Sequence, residues 1–253
     1  MSLSRLDLFD AHLHIIDVRF PLIENDGYLP EQFTCERYLD RMSTYRLVGG
    51  AVVSGSFQGF DQTYLLDVLR RLGDGFVGVT QVAATVSDEQ IRKLDEAGVR
   101  AVRFNLRRGG SEGVAQLERV ARRVHELAGW HVELYVDSRE LRPLFDTLST
   151  LPAVSIDHLG LSAEGFPVLL QLAAKGVRVK ATGFGRIDFD LAGALRDLHA
   201  ANPHALMFGT DLPSTRAPRP YEDEDYLRVI DILGMEAAQR VLYQNAVDFY
   251  RRS

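Results

Sequence analysis

Cysteine is almost absent from this 253-residue sequence, which contains only Cys35. One cysteine excludes an intramolecular disulfide framework and any zinc site built from several thiolates, and it fits a reducing compartment. No apolar run approaches the roughly 18 residues of a spanning helix, and the first residues lack the basic and apolar regions of a signal peptide. The sequence therefore predicts a cytoplasmic protein with no membrane partner.

An excess of positive charge is also absent. The chain has 29 lysines and arginines against 35 aspartates and glutamates, which is a formal net charge of −6. Because a nucleic-acid backbone is bound by clustered cations, this balance argues against a nucleic-acid partner. It leaves room for a local arginine pocket that binds a small acidic molecule. The oligomeric state is left open, and a homo-oligomer is compatible with the sequence.

What the sequence does contain is a regular alternation of two kinds of segment. Short apolar runs rich in valine, without strict polar alternation, are typical of strands buried on both faces. Between them lie segments of helical periodicity, such as the one that begins at the capping sequence Ser87-Asp88-Glu89-Gln90. The eight predicted strands are Leu6–His14, Val48–Ser54, Phe76–Val82, Val99–Phe104, His131–Val136, Ala153–His158, Val177–Ala181 and Leu206–Asp211.

Eight strands with intervening helices predict a single α/β domain over residues 1–253, a (β/α)8 TIM barrel. An open doubly wound sheet is the alternative, but no Gly-x-Gly-x-x-Gly motif follows the first strand to support its dinucleotide-binding form. Barrel enzymes carry their active sites at the carboxyl ends of the strands. Polar residues recur at those ends in this sequence, so we expect an active site there.

The end of the first strand carries the sharpest signal, the pair His12 and His14. Strand side chains alternate with a period of two, so both imidazoles are predicted to leave one face beside Asp10. Phe9, Ala11 and Leu13 are predicted to face the helices. Two imidazoles on one face can bind a single metal ion or a single substrate carbonyl. An accidental pair at a strand end is the competing interpretation.

His158 and Asp211 end the sixth and eighth predicted strands, at positions that match the histidine pair. Asp211 closes a mostly apolar strand, and we predict that it is the general base that activates water. The competing interpretation is a helix cap or a turn residue before Pro213. His131 instead opens its strand, so a structural role at the opposite end of the barrel is expected.

Basic residues near the strand ends are candidates for binding a substrate carboxylate. Arg103 at the end of the fourth strand fits a bidentate clamp, although a loop salt bridge suits its position equally well. Arg186, after the seventh strand, has the same two interpretations. Lys180 is either a substrate contact or a barrel-interior lysine paired with a carboxylate. Arg107 and Arg108, in the loop after the fourth strand, are weaker candidates whose roles stay open.

Six segments carry a resemblance to a known family. They are Phe9-Asp10-Ala11-His12-Leu13-His14, Ser54-Gly55-Ser56-Phe57-Gln58-Gly59-Phe60-Asp61-Gln62, Gly98-Val99-Arg100-Ala101-Val102-Arg103-Phe104-Asn105, Asp157-His158-Leu159-Gly160, Phe208-Gly209-Thr210-Asp211-Leu212-Pro213 and Leu242-Tyr243-Gln244-Asn245-Ala246. In this order they resemble the amidohydrolase-related branch of the amidohydrolase superfamily. Within that branch they are similar to the 2-pyrone-4,6-dicarboxylate lactonases and the sugar lactonases. The resemblance extends from about residue 8 to residue 250.

This resemblance implies an amidohydrolase-type barrel that hydrolyses a bond at a carbonyl group. The residues that it implies for the reaction centre are His12, His14, His158 and Asp211. The residues that it implies for substrate contact are Arg103, Tyr135, Arg186 and Ser54. Ser54 stands at the start of the loop after the second strand.

Two departures from the family pattern bear on metal binding. Members with two metal ions place a bridging lysine or glutamate at the end of the fourth strand, where this chain has Arg103-Phe104-Asn105. They place a metal-binding histidine at the end of the fifth strand, where this chain has Tyr135-Val136. The departures argue against a two-metal centre. The chain is expected to need no cofactor or one divalent metal, most simply zinc, held by His12, His14 and Asp211, with or without His158.

The function predicted from these residues is a lactonase that acts on a small carboxylated substrate. Asp211 takes a proton from water, and the histidines, or a metal that they hold, stabilise the developing oxyanion. A zinc-dependent decarboxylase of an aromatic or unsaturated acid is the alternative, and the missing histidine at the fifth strand counts against it. A binding protein without catalytic activity is the third hypothesis. The presence of His12, His14 and Asp211 counts against this hypothesis.

Overall fold

The computed structural model describes residues 3–251. Eight parallel strands pair in chain order, and each overlaps one of the eight predicted segments. They are β1 (Asp7–Leu13), β2 (Arg46–Val53), β3 (Phe76–Thr80), β4 (Val99–Asn105), β5 (His131–Tyr135), β6 (Val154–Ile156), β7 (Arg178–Ala181) and β8 (Leu206–Phe208). This order confirms the predicted (β/α)8 barrel and excludes the doubly wound sheet, in which the strand order reverses.

Helices cover the outside of the strands and the amino end of the barrel. They are α1 (Cys35–Met42), α2 (Thr63–Leu72), α3 (Asp88–Glu96), α4 (Leu117–Ala128), α5 (Phe145–Thr150), α6 (Phe166–Ala174), α7 (Leu191–Ala201), α8 (Asp223–Leu233), α9 (Met235–Gln239) and α10 (Asn245–Tyr250). The predicted cap of α3 is present, because the Ser87 hydroxyl accepts a hydrogen bond from the Gln90 amide at 3.2 Å. Among the described helices, none combines the length and the apolar character needed to cross a membrane.

The chain returns to β1 at the carboxyl end of the barrel. There the Asp211 amide donates to the His12 carbonyl at 2.7 Å, and the His14 amide donates to the Leu212 carbonyl at 2.8 Å. These two backbone bonds place the segment after β8 directly against the end of β1. The candidate residues at the two ends of the chain therefore share one site.

The amino half of the barrel interior is mostly apolar, and α10 closes it. Tyr250 of α10 stacks on Phe9 with ring centroids 5.5 Å apart. The other buried members of this cluster are Ala11, Ala51, Val53, Val77, Val79, Ala101, Met207 and Ala246. A second and larger cluster fills the layer between strands and helices. The polar residues of the candidate site lie above this apolar plug.

A β-bulge in β1 corrects the predicted alternation of side chains. Asp10 pairs with Gly50 and Leu13 pairs with Val52, so β1 advances by three residues where β2 advances by two. One extra residue reverses the alternation beyond the bulge. Phe9 and Ala11 belong to the interior cluster, so the prediction that they face the helices is wrong, whereas Leu13 lies in the layer between strands and helices as predicted. The Asp10 carboxylate bonds to Tyr38 of α1 and to Thr210.

Candidate active site

A cavity at the carboxyl end of the barrel gathers most of the predicted site residues. The predicted site residues in its lining are His14, Arg103, Tyr135, His158, Arg186 and Asp211. Other residues of the lining are Tyr28, Ser56, Asn105, Arg108 and Arg216. His12 is buried directly beneath, with Nε2 3.9 Å from Oδ1 of Asp211. Ser54 does not join the lining, because its hydroxyl bonds to the hydroxyl of Tyr64 at 2.8 Å.

Asp211 has one engaged oxygen and one free oxygen. Arg186 donates from Nε to Oδ2 at 2.8 Å and lies 2.7 Å away through Nη2. Oδ1 is buried and has no hydrogen-bond partner among residues 3–251. Burial raises the pKa of Asp211, but the positive charge of Arg186 outweighs it and holds the pKa well below its ordinary value. The carboxylate is therefore ionised throughout the neutral range.

The histidines surround this free oxygen. Nε2 of His14 lies 3.6 Å from Oδ1, and the ring of His158 lies 5.0 Å from that of His12, centroid to centroid. Burial lowers the pKa of His12 to about 4 and holds the pKa of His158 well below its ordinary value. The rings of His12 and His158 are consequently neutral at pH 7. A neutral ring can donate one hydrogen bond and accept another, but it carries no charge.

The backbone is strained at two of the candidate catalytic residues. His158 has φ 53° and Asp211 has φ 61°, both in the left-handed region that side chains other than glycine rarely adopt. Such strain persists only where surrounding contacts impose it, and it concentrates at functional sites. The segment that leads to Asp211 is tightly packed against β1, because a Cβ on Gly209 would lie 2.6 Å from the His12 amide nitrogen.

Asp10 fastens β1 to the turn that carries Asp211. Its carboxylate accepts from the Thr210 amide at 2.8 Å, the Thr210 hydroxyl at 2.7 Å, the His12 amide at 3.2 Å and the Tyr38 hydroxyl at 3.0 Å. Burial raises the pKa of Asp10 to about 6, although these hydrogen bonds lower it. The sequence pattern marks Asp10 only as a neighbour of the histidines and does not indicate this role.

The raised pKa of Asp10 predicts a specific pH dependence of stability. The folded state binds the proton more tightly than the unfolded state, whose value is near 3.8. The stabilisation is therefore complete below pH about 4 and is lost as the pH rises through about 6. Urea unfolding should show that the wild type gains up to about 3 kcal/mol relative to Asp10→Asn between pH 7 and pH 4. Equal pH dependence of the two proteins would contradict the assignment.

Below the cavity, buried ion pairs connect four strands. Arg103 of β4 donates to Oδ2 of Asp157 at 2.8 Å and to the Ser54 carbonyl at 2.7 Å. Lys180 of β7 pairs with Glu133 of β5. Lys180 is fully buried, so of its two predicted interpretations the structure supports the barrel-interior lysine. His131 is the first residue of β5, and its Nε2 lies 3.0 Å from Oε1 of Glu133, below the site as expected.

The loops above the cavity meet at Asn25, which sequence analysis missed. Its side-chain oxygen accepts from Arg216 at 3.0 Å and from the Ser56 hydroxyl at 3.1 Å, and its side-chain nitrogen donates to the Arg108 carbonyl at 3.0 Å. Arg216 also lies over the ring of Tyr28, 4.3 Å from its centroid. These contacts join four separate loops, so no spacing in the sequence could reveal them.

The donor atoms of the site fit a divalent metal ion. Ligand atoms of His12, His158 and Asp211 lie within 4.8 Å of one another. Nε2 of His12 and Oδ1 of Asp211 are buried without hydrogen-bond partners in the described part of the chain. The predicted set was His12, His14 and Asp211, with or without His158, and Nε2 of His14 lies 3.6 Å from the same carboxylate oxygen. Imidazole nitrogen and carboxylate oxygen are ordinary zinc ligands.

Comparison with known proteins gives the family. The amidohydrolase family model matches residues 9–252. The chain is 30% identical over 156 residues to 2-pyrone-4,6-dicarboxylate hydrolase of Comamonas testosteroni, covering 60% of this chain and 51% of that protein. It is 28% identical over 226 residues to 4-sulfomuconolactone hydrolase of Hydrogenophaga intermedia, covering 81% of this chain and 74% of that protein. The chain thus spans about half the length of the first of these relatives.

A solved structure supports the same assignment of the fold. The crystal structure of an Agrobacterium tumefaciens protein without ligand superposes with a TM-score of 0.88 at 20% identity, covering 99% of this chain and 97% of that one. The resemblance stated from the sequence motifs is confirmed by the match over residues 9–252, and the chain belongs to the amidohydrolase family.

Proposed function

We propose that this protein is a hydrolase that opens a lactone, the cyclic ester of a small carboxylated substrate. The observation that carries the proposal is the ionised carboxylate of Asp211, with Oδ2 held by Arg186 and Oδ1 free among three histidines. The names of the relatives from Comamonas testosteroni and Hydrogenophaga intermedia both describe hydrolysis, of a pyrone and of a muconolactone, which supports this reaction.

In the first step, water is activated by Asp211. Oδ1 accepts a proton from the water, and the oxygen forms a bond to the lactone carbonyl carbon. The electron pair of the C=O bond moves to the carbonyl oxygen, which becomes an oxyanion. An imidazole N–H that faces this oxygen stabilises the charge, because the site is already arranged before the reaction. Arg186 keeps the carboxylate aimed at the water.

In the second step, the tetrahedral intermediate collapses. The carbonyl re-forms, the bond between the carbon and the ring oxygen breaks, and the ring oxygen leaves with the electron pair. The proton held by Asp211 is returned to that oxygen, directly or through water, so Asp211 ends as a carboxylate again. The product carries one new carboxylic acid and one new hydroxyl group.

Substrate binding is assigned to the arginines of the cavity. Nε of Arg103 is buried and has no partner among residues 3–251, and the ring of Tyr135 lies 5.6 Å from its guanidinium carbon. Arg108 and Arg216 line the cavity, and within the described chain neither forms an ion pair with a carboxylate. A substrate carboxylate would supply that missing charge. Arg107 is exposed and outside the cavity lining.

A divalent metal, if the protein binds one, would be held by His12 and Asp211 with His14 or His158. It would supply Lewis-acid polarisation of the lactone carbonyl. Zinc is the metal that this donor set suits best.

The proposal is tested on a panel of pyrone dicarboxylates, muconolactones and sugar lactones, with chelator-treated enzyme and with added zinc. We expect ring opening, followed by proton release, with kcat/KM more than about tenfold higher for a carboxylated lactone than for its neutral ester. Asp211→Asn serves as the control for contaminating hydrolases. Failure to open any lactone, with or without zinc, would contradict the proposal.

The decarboxylase alternative is less supported, because the named relatives are hydrolases of lactones. The cytoplasmic location, the single domain over residues 1–253 and the homo-oligomer stay predictions.

A further inference from the structure

Lys180 lies directly beneath the histidine pair. Its ammonium nitrogen contacts Nδ1 of His12 at 3.3 Å, pairs with Glu133 and lies 3.7 Å from Oδ1 of Asp157. Lys180, Glu133 and Asp157 are all fully buried. Burial raises the pKa of Glu133, but the charge of Lys180 and the hydrogen bond from His131 outweigh it and lower that pKa. The side-chain nitrogen of Lys180 thus lies between two buried carboxylates.

An ammonium group can only donate hydrogen bonds. Nδ1 of His12 also lies 3.5 Å from Oδ1 of Asp157, but that oxygen has no hydrogen-bond partner in the described chain. The bond from Lys180 therefore makes Nδ1 of His12 the acceptor nitrogen. A neutral imidazole has one N–H group, which must then be on Nε2. Nε2 of His12 faces Asp211 and has no partner in the described chain. His12 thus presents a free donor to the site. A ring in this tautomer must first shift that hydrogen before Nε2 can bind a metal ion.

His14 has the opposite arrangement. Its Nδ1 lies 2.7 Å from the carbonyl oxygen of Val53, which can only accept. A hydrogen is therefore on Nδ1, which in the neutral ring leaves the lone pair on Nε2, 3.6 Å from Oδ1 of Asp211. Two neighbouring imidazoles offer the site one donor and one acceptor.

We propose that Lys180 is a positioning residue that fixes the Nε2–H tautomer of His12, so that His12 donates to the lactone carbonyl oxygen while His14 accepts a hydrogen bond from the attacking water. The inference rests on the proposed lactone hydrolysis for its catalytic part. Water bound between His14 and Asp211 directs both hydrogens at acceptors and keeps a lone pair for the carbonyl carbon. The developing oxyanion receives the His12 hydrogen bond, which strengthens as charge accumulates.

The tautomers are tested first, without any substrate. The full chain is labelled with 15N-histidine, and long-range proton–nitrogen spectra separate protonated from bare ring nitrogens. The His12→Gln and His14→Gln variants assign the signals. We expect a bare Nδ1 for His12 and a bare Nε2 for His14. A hydrogen on Nδ1 of His12 in the wild type overturns the proposal, whatever the protein hydrolyses.

The role of Lys180 is tested by Lys180→Met, with the double variant Lys180→Met/Glu133→Gln removing the buried pair together, so that neither charge is left alone. In the variant that folds, we expect the hydrogen of His12 to move to Nδ1, facing Asp157. We expect kcat on the lactone to fall on the order of 10²-fold with KM changed less than about threefold, as for the loss of one oxyanion donor. Lys93→Met, which breaks an exposed pair with Glu89, is the matched control.

An unchanged His12 tautomer, or an unchanged kcat after the tautomer has moved, overturns the role of Lys180. Lack of lactone turnover by the wild type would contradict the proposed function instead, and the spectra would still decide whether Lys180 sets the tautomer.

Discussion

Replacing Asp211 with asparagine is expected to lower kcat for lactone opening by about 10³-fold or more, since it removes the base that accepts the proton from water. Asparagine is the appropriate replacement because it tolerates the left-handed backbone, and Asp211 has φ 61°. Its amide oxygen can still accept from Arg186. The measurement is kcat and KM over a lactone concentration series, with unfolding free energy measured in parallel.

Two comparisons separate loss of the base from loss of structure. Asp197→Asn, on the exposed face of α7, is the matched control and should leave kcat unchanged. Because the pKa of Asp211 lies well below its ordinary value, the loss in Asp211→Asn should be the same at pH 6 and pH 8. If the variant keeps activity within a few-fold of the wild type, Asp211 is not the base.

The sequence predicted the barrel and most of the residues at its carboxyl end because both depend on local pattern. Apolar runs define strands, and strand ends in a barrel converge on one site. The predicted orientation of the Asp10 side chain was wrong, because it depends on more than the local sequence. The bulge is a difference in residue count between paired positions of β1 and β2, so the orientation of Asp10 depends on pairing between strands.

The ion pairs beneath the site were beyond the sequence for a related reason. Lys180 contacts Glu133, which is 47 residues away, and His12, which is 168 residues away. At such distances along the chain, no helix or strand periodicity identifies which residues contact Lys180. The sequence accordingly left Lys180 between two roles and gave Arg103 equal weight as a substrate clamp and a salt bridge. Only the closed barrel brings these charges together.

Arg103 forms a buried salt bridge, and stability measurements can separate this role from the substrate contact that we propose for it. Its guanidinium is 3% exposed and bonds to Asp157, which is fully buried. Removing one partner of a buried ion pair leaves the other charge without compensation. We therefore expect Arg103→Met to lower the free energy of unfolding by about 3–5 kcal/mol, measured by urea denaturation. Methionine retains the aliphatic part of the side chain, so the loss is mainly electrostatic.

A double-mutant cycle identifies the source of that loss. Arg103→Met/Asp157→Asn removes both charges, so it should be less destabilised than the sum of the two single variants. The matched control is Arg46→Met, whose partner Asp7 lies 2.9 Å away on the surface, and it should cost no more than about 1 kcal/mol. Unchanged stability in Arg103→Met with a strongly raised KM would mean that Arg103 serves the substrate and not the barrel. Additive effects in the cycle would mean that Asp157 draws its compensation from Lys180, and that the two buried cations are interchangeable in holding the site together.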